Sequence, residues 1–233
     1  MLKVALSNSK FGLVIGTYGS VPYIHLFLES AKRNFPDVSI FVNDDNSKSE
    51  ALRNICNDYG VTFHSNPHRH RHLPGDVTSA INGLNWAKKA ELDILAKMSR
   101  RFIPFFDWTI ELQKAFKSGI STWGNYDISQ NLPLRTECFA MHINSWYAHL
   151  DKVEKIKRVK GNVFRWVEEN FFNLANKVSN GRRFETWNSI GNNRKARMPN
   201  ILWHHANPPE DYFNKAKGYE LPYVLEDFRR VDA

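Results

Sequence analysis

The sequence predicts an α/β fold, with a doubly wound, mostly parallel sheet flanked by helices. Three observations predict it. Between Phe11 and Lys117, apolar strands and amphipathic helices alternate as βαβαβαβα, an order that builds parallel sheets. Two of the strands end on polar tips, Gly16-Thr17-Tyr18-Gly19 and Asn43-Asp44-Asp45-Asn46-Ser47. Adjacent carboxylates flanked by amides pack poorly but bind ligands well, and open α/β sheets bind their ligands at the carboxyl edge where such tips gather. After Gly119 the alternation gives way to two strands and then helices, which fits antiparallel additions to the same sheet.

Each element has a local cause. Residues 11–19 form the first strand. Val21 to Asn34 is a helix with Ser20 as N-cap and Pro22 in its first turn; Ile24, Leu26, Phe27 and Ala31 share its buried side, and Pro36 stops it. Val38 to Val42 is the second strand. Lys48 to Tyr59 is a helix striped by Leu52, Ile55 and Cys56 and ended by Gly60. Val61 to His64 is a short third strand, followed by a polar loop, Ser65 to Gly75, that holds His68-Arg69-His70-Arg71-His72. Asp76 caps a helix to about Ala90, with Ala80, Ile81, Leu84 and Ala87 inward. Leu92 to Ser99 is the fourth strand, and Phe105 to Lys117 a helix. Ile120 to Ser129 and Leu134 to Ile143 read as strands, Ser145 to Val159 and Asn162 to Val178 as helices, and Arg183 to Trp187 as a short strand. The tail from Pro199 reads as irregular, with a helix near Tyr212 to Lys217.

Composition narrows the class. The chain has 233 residues, 42% hydrophobic and 24% charged, enough for a true core in one large domain or two small ones. The 13% aromatic content serves packing first and pocket lining second. A net charge of +8 attracts phosphates of any kind. The densest basic cluster, Lys152, Lys155, Lys157, Arg158 and Lys160, has Asp151 and Glu154 inside it at helical spacing, so it reads as a solvated helix face and not a nucleic-acid patch. Cys56 and Cys138 are too few and too far apart for a disulfide scaffold or a zinc knuckle. There is no apolar run of membrane-spanning length and no secretory signal. The expectation is a soluble, cytoplasmic protein whose membrane contact is peripheral at most.

With Thr17-Tyr18, the Asp44-Asp45-Asn46-Ser47 tip and Asn82-Gly83-Leu84 in this order and spacing, the chain resembles a GT-A-fold glycosyltransferase, closest in style to glycosyltransferase family 2. The resemblance covers about residues 11–110 and implies a GT-A-like domain over 1–233. Residues 1–118 would form a half that binds a nucleotide-diphospho-sugar, and 119–233 an acceptor half. It implies a hexosyl- or pentosyltransferase that moves sugar to a hydroxyl acceptor such as a glycan, with no nucleic-acid partner. The implied donor-binding residues are Gly16, Thr17, Tyr18, Asp44, Asp45, Asp76 and Asn82. One departure stands out. Where the family carries a metal-holding Asp-x-Asp, this chain reads Lys97-Met98-Ser99-Arg100-Arg101. Fixed cations can offset the charge of a departing diphosphate in place of a metal, and Arg grips phosphate oxygens through two bonds. Lys97, Ser99, Arg100 and Arg101 are therefore expected at the diphosphate, with no metal required.

An inverting transferase needs a carboxylate to deprotonate the acceptor hydroxyl. Two places compete. Glu168 and Glu169, in Trp166-Val167-Glu168-Glu169-Asn170, resemble the family's acidic pair at a helix start, where the dipole would keep them ionised. Glu137, in Arg135-Thr136-Glu137-Cys138-Phe139, sits on a strand and shares a face with Arg135, its alternative partner. His204 and His205, after Trp203, are placed at the donor phosphates, the acceptor or a metal. His68, His70 and His72 would share a face of an extended loop, yet Arg69 and Arg71 oppose a cation there. A mobile, phosphate-attracting loop is the expectation. The competing functions are a nucleotidyltransferase, against which the lack of Arg and Lys in Gly16-Thr17-Tyr18-Gly19-Ser20 counts, and a non-catalytic protein that binds a nucleotide sugar or nucleic acid.

Overall fold

The computed structural model describes residues 9–117, 119–127, 132–157, 164–178 and 200–230. The first half runs β1 (Phe11–Thr17), α1 (Val21–Asn34), β2 (Ser39–Asp44), α2 (Glu50–Asp58), β3 (Thr62–Ser65), α3 (His72–Lys89), β4 (Ile94–Ser99), β5 (Phe102–Pro104) and α4 (Thr109–Lys117). The second runs β6 (Thr122–Asp127), β7 (Leu132–His142), α5 (Ile143–Tyr147), α6 (Leu150–Lys157), α7 (Phe164–Val178), β8 (Ile201–Trp203), α8 (Pro209–Gly218) and α9 (Leu225–Arg229). Six strands form one sheet in the order β3-β2-β1-β4-β7-β6; the first four are parallel, and β7 and β6 are antiparallel additions. A separate antiparallel ribbon pairs β5 with β8.

Strand periodicity divides the core into two layers. Leu13 and Ile15 of β1 and Ile94, Ala96 and Met98 of β4 pack with α1, α2, α4 and the C-terminal helices on one face. Val14 and Leu95 point the other way, against Val77, Ile81 and Leu84 of α3 and Phe171 and Leu174 of α7. Both faces are covered, as a parallel sheet demands. The two thiols are buried and free, and burial pushes Cys56 up to about 12. Among the described residues no helix is long and apolar enough to cross a membrane.

Several expectations are corrected. β5 lies between β4 and α4, so the alternation of strand and helix is broken there. The helix expected from Phe105 begins at Thr109. α3 starts at His72, four residues before Asp76, which is therefore inside the helix and not its cap. Ser20 does hold the N-cap position of α1, but with a left-handed backbone (φ 55°) and no side-chain cap bond. The segment expected as one helix over 145–159 is two, α5 and α6, and the tail holds β8, α8 and α9. The predicted strand Arg183–Trp187 lies outside the described residues.

Candidate active site

Strand register assembles the site. Gly16 pairs with Asn43 on one side and with Ser99 on the other, which aligns the ends of β2, β1 and β4. Met98 pairs with Cys138, so Glu137, one residue back along antiparallel β7, reaches the same edge. In the ribbon Phe102 pairs with Trp203, which sets the Arg100-Arg101 turn beside the His204-His205 turn. A cavity of about 250 Å³ opens at this edge. It is lined by Gly16, Thr17 and Tyr18 of the first tip, Asn43 and Asp45 of the second, Ser99, Arg100 and Arg101 after β4, and Thr136, Glu137, Glu168 and His204. Arg69, Arg71, Gly75 and Asp76 complete the wall.

The two adjacent aspartates divide the work. Asp44 is 1% exposed and does not line the cavity. Its oxygens accept from the Gly19 and Ser47 amides (3.2 and 2.8 Å) and from Ser65 Oγ (3.1 Å), tying the first two tips to β3. The expectation that Asp44 binds donor is corrected by this: a carboxylate with three donors already on it is a loop clamp. Asp45 does line the cavity, and it also anchors the histidine–arginine loop. It accepts from Asn66 Nδ2 at 2.9 Å, from the His70 amide at 2.9 Å and from the Arg71 amide at 2.9 Å; His70 Nδ1 stands 3.0 Å away. The loop expected to be mobile is thus pinned. Pinning aims Arg69, whose guanidinium lies 3.6 Å from the centre of the Tyr18 ring, and Arg71 into the cavity. Asn82 also lies outside the lining: its amide bridges Asn43 Oδ1 (2.8 Å) and Asn66 Oδ1 (3.1 Å).

Lys97 is the largest correction. It is 1% exposed, lies outside the lining, and donates to Asp76 Oδ1 at 2.8 Å and to the Thr136 carbonyl at 2.5 Å. β4 alternation turns it toward α3, where Asp76 waits, so its charge is already met. Arg100 and Arg101 do face the cavity. Of the acidic pair on α7, Glu168 is 4% exposed and lines the cavity, whereas Glu169 does not. Both sit inside a helix that begins no later than Phe164, not at a start near Val167. Glu137 accepts a bond from His205 Nε2 at 2.7 Å, with His204 Nε2 at 3.9 Å; His205 itself does not line the cavity. Burial first, then the nearby Glu137 charge, pushes the Cys138 thiol well above its ordinary value, which removes it as a nucleophile.

Hard divalent ions take oxygen ligands, carboxylates above all. The end of β4 supplies one hydroxyl, Ser99 Oγ, which is buried without a hydrogen-bond partner among the described residues, and sets two guanidinium-bearing residues beside it. Of the carboxylates in the lining, Asp45 is held by the loop amides, Asp76 by Lys97 and Glu137 by His205. A metal of the Asp-x-Asp kind does not fit this end of β4. The sequence marked the loop of Arg69 and Arg71 as phosphate-attracting without naming either as a site residue, and it gave no sign of Gly75 or Thr136 in the lining. The alternation of His and Arg in the loop was the available signal for the two arginines.

The fold is of the GT-A type seen in glycosyltransferases. The galactosyltransferase LgtC, solved with donor and acceptor sugar analogues, superposes at a TM-score of 0.59 with 14% identity, over 94% of this chain and 99% of its own. The mannosyltransferase PcManGT of Pyrobaculum calidifontis, solved with GDP-Man and Mn2+, gives 0.55 and 12%, over 97% of this chain and 69% of its own. The glycosyltransferase GlyE of Streptococcus pneumoniae gives 0.52 and 12% over 78% of this chain, which spans about half of GlyE's length (46%). No family model and no curated protein sequence matches the chain.

Proposed function

We propose that this protein transfers a sugar from a nucleoside-diphosphate donor to a hydroxyl acceptor such as a glycan. The observation that carries the reading is that Arg69, Arg71, Arg100 and Arg101 line the same cavity as the tips of β1 and β2. Such a cavity suits a dianionic diphosphate: guanidinium groups pair its oxygens bidentately and meet the charge that grows as the sugar leaves. Fixed cations then serve where the Asp-x-Asp metal would, and the donor is held without a hard divalent ion at the end of β4. Glu168 is the acceptor base in this reading, since it lines the cavity and Glu169 does not. Tyr18, with Arg69 against one face of its ring, lines the cavity as an aromatic contact for the base or sugar.

Turnover of a panel of nucleotide sugars, followed by mass spectrometry in buffer freed of Mg2+ and Mn2+, tests this. The expected result is donor turnover that added Mg2+ does not raise. Arg100→Ala lowers turnover by about 100-fold and donor binding by less, the signature of charge stabilised in the transition state. Glu168→Gln keeps donor binding and loses transfer. Binding without turnover would favour a non-catalytic nucleotide-sugar protein; no binding of any nucleotide sugar would end the proposal.

A further inference from the structure

The group Glu137, His204 and His205 is built with more care than a donor-binding wall requires. Neighbours in an extended strand point to opposite sides, yet these two imidazoles lie with ring centroids 3.9 Å apart. The chain turns after β8 to achieve it. The amides of Ala206 and Asn207 both donate to the Trp203 carbonyl at 2.8 Å, and the Asn207 side chain takes the Trp203 amide at 3.0 Å. The Trp203 ring then meets His205 edge-on at 5.0 Å. Both Nε2 atoms converge on one oxygen, Glu137 Oε1, at 2.7 and 3.9 Å, and one ligand atom from each of the three residues lies within 4.8 Å of the others. The side chains are half-buried, 13–29% exposed, so the site is reachable but not bathed in solvent.

We propose that Glu137, His204 and His205 form a binding site for a divalent transition metal of the zinc class, filled without help from a nucleotide. Four-coordinate zinc at about 2.1 Å from each ligand sets ligand atoms roughly 3.4 Å apart, a spacing bracketed by the two His–Glu distances. Two imidazoles and one carboxylate select a borderline ion over Mg2+ or Ca2+. Three protein ligands leave one position open. Glu137 and His204 line the cavity, so that position faces it and takes an oxygen of whatever the cavity holds. The site lies on β7 and the turn after β8 and uses none of the β4 residues, so it stands beside transfer that needs no Mg2+. Only its use in sugar transfer rests on the function proposed above; its occupancy does not.

The test uses the full chain, stripped with a chelator, dialysed, and titrated with Zn2+ against a chromophoric competitor with no nucleotide present. The expected result is one tight Zn2+ per chain, and with Co2+ the visible absorption bands of a four-coordinate site. Glu137→Gln and His205→Ala each weaken Zn2+ at least 10-fold while far-UV circular dichroism stays unchanged. His68→Ala, on the loop, leaves the affinity as it was. His204→Gln supplies the same loss should Glu137→Gln fail to fold. Absence of stoichiometric binding overturns the proposal, as does affinity that survives in His204→Gln and His205→Ala or is lost instead in His68→Ala. Turnover is measured separately, so an inactive protein that binds zinc would sink the proposed function and leave this site standing.

Discussion

Lys97 carries its ammonium into a fully buried position between a carboxylate and a carbonyl. Removing one member of such a pair leaves the other charge uncompensated, which costs more than the pair itself contributes. Lys97→Met should therefore destabilise the fold by about 2–3 kcal/mol, below the fully buried limit because Asp76 keeps 22% of its side chain in solvent. Urea unfolding measures this, and Asp76→Asn on top of Lys97→Met should recover part of the loss. An unchanged midpoint in the single variant would mean the pair is not structural. The position of Lys97 near the carboxyl end of a strand was legible in the sequence. Its partner was not, because Asp76 reads as a cap until α3 is seen to begin at His72. The same holds for Asp44 and Asp45: their adjacency is visible, but which one clamps loops and which one meets the cavity depends on the amides that fold back from Gly19, Ser47, His70 and Arg71.

At the scale of elements, α3 determines how closely the site's supports can pack. A Cβ on Gly83 would come within 2.8 Å of Val14 Cβ on β1, so the helix lies against the strand because that residue has no side chain. Gly83→Ala is expected to cost about 1–3 kcal/mol. The cost appears as a lower Tm, and no shift would show that α3 yields freely. Asn82, the residue before it, then reaches across to Asn43 and Asn66, which explains why the Asn82-Gly83-Leu84 signal marks the site's frame and not its lining. The major strands and helices were legible from period and punctuation. β5 and β8 were not, since apolar segments of three residues carry no period. That ribbon matters most for function: the pairing of Phe102 with Trp203 brings Arg100 and Arg101 to His204, and no local signal announces a contact across 100 residues.

The molecule as a whole is a two-faced sheet whose carboxyl edge holds arginines and carboxylates in one cavity. Its stability should depend on pH through two histidines, His25 of α1 and His142 at the end of β7. Burial lowers the pKa of His25, against the opposing pull of Glu29 and Asp58, and lowers that of His142, against Asp93. The folded state thus binds fewer protons than the unfolded chain, whose histidines titrate near 6.5. The stabilisation is full above that value and is lost as pH falls through it, so Tm should drop between pH 7.5 and 5.5. A His25→Gln, His142→Gln double variant should drop by less; an equal drop would assign the effect elsewhere. In the proposed function, arginines at the end of β4 hold a donor diphosphate opposite the tips of β1 and β2. Calorimetric titration with UDP, GDP, ADP and dTDP in Mg2+-free buffer tests it most directly. At least one is expected to bind the wild-type protein, with Arg100→Ala and Arg101→Ala each weakening it about 10-fold. Binding of equal strength in both variants, or no binding of any of the four, would contradict it.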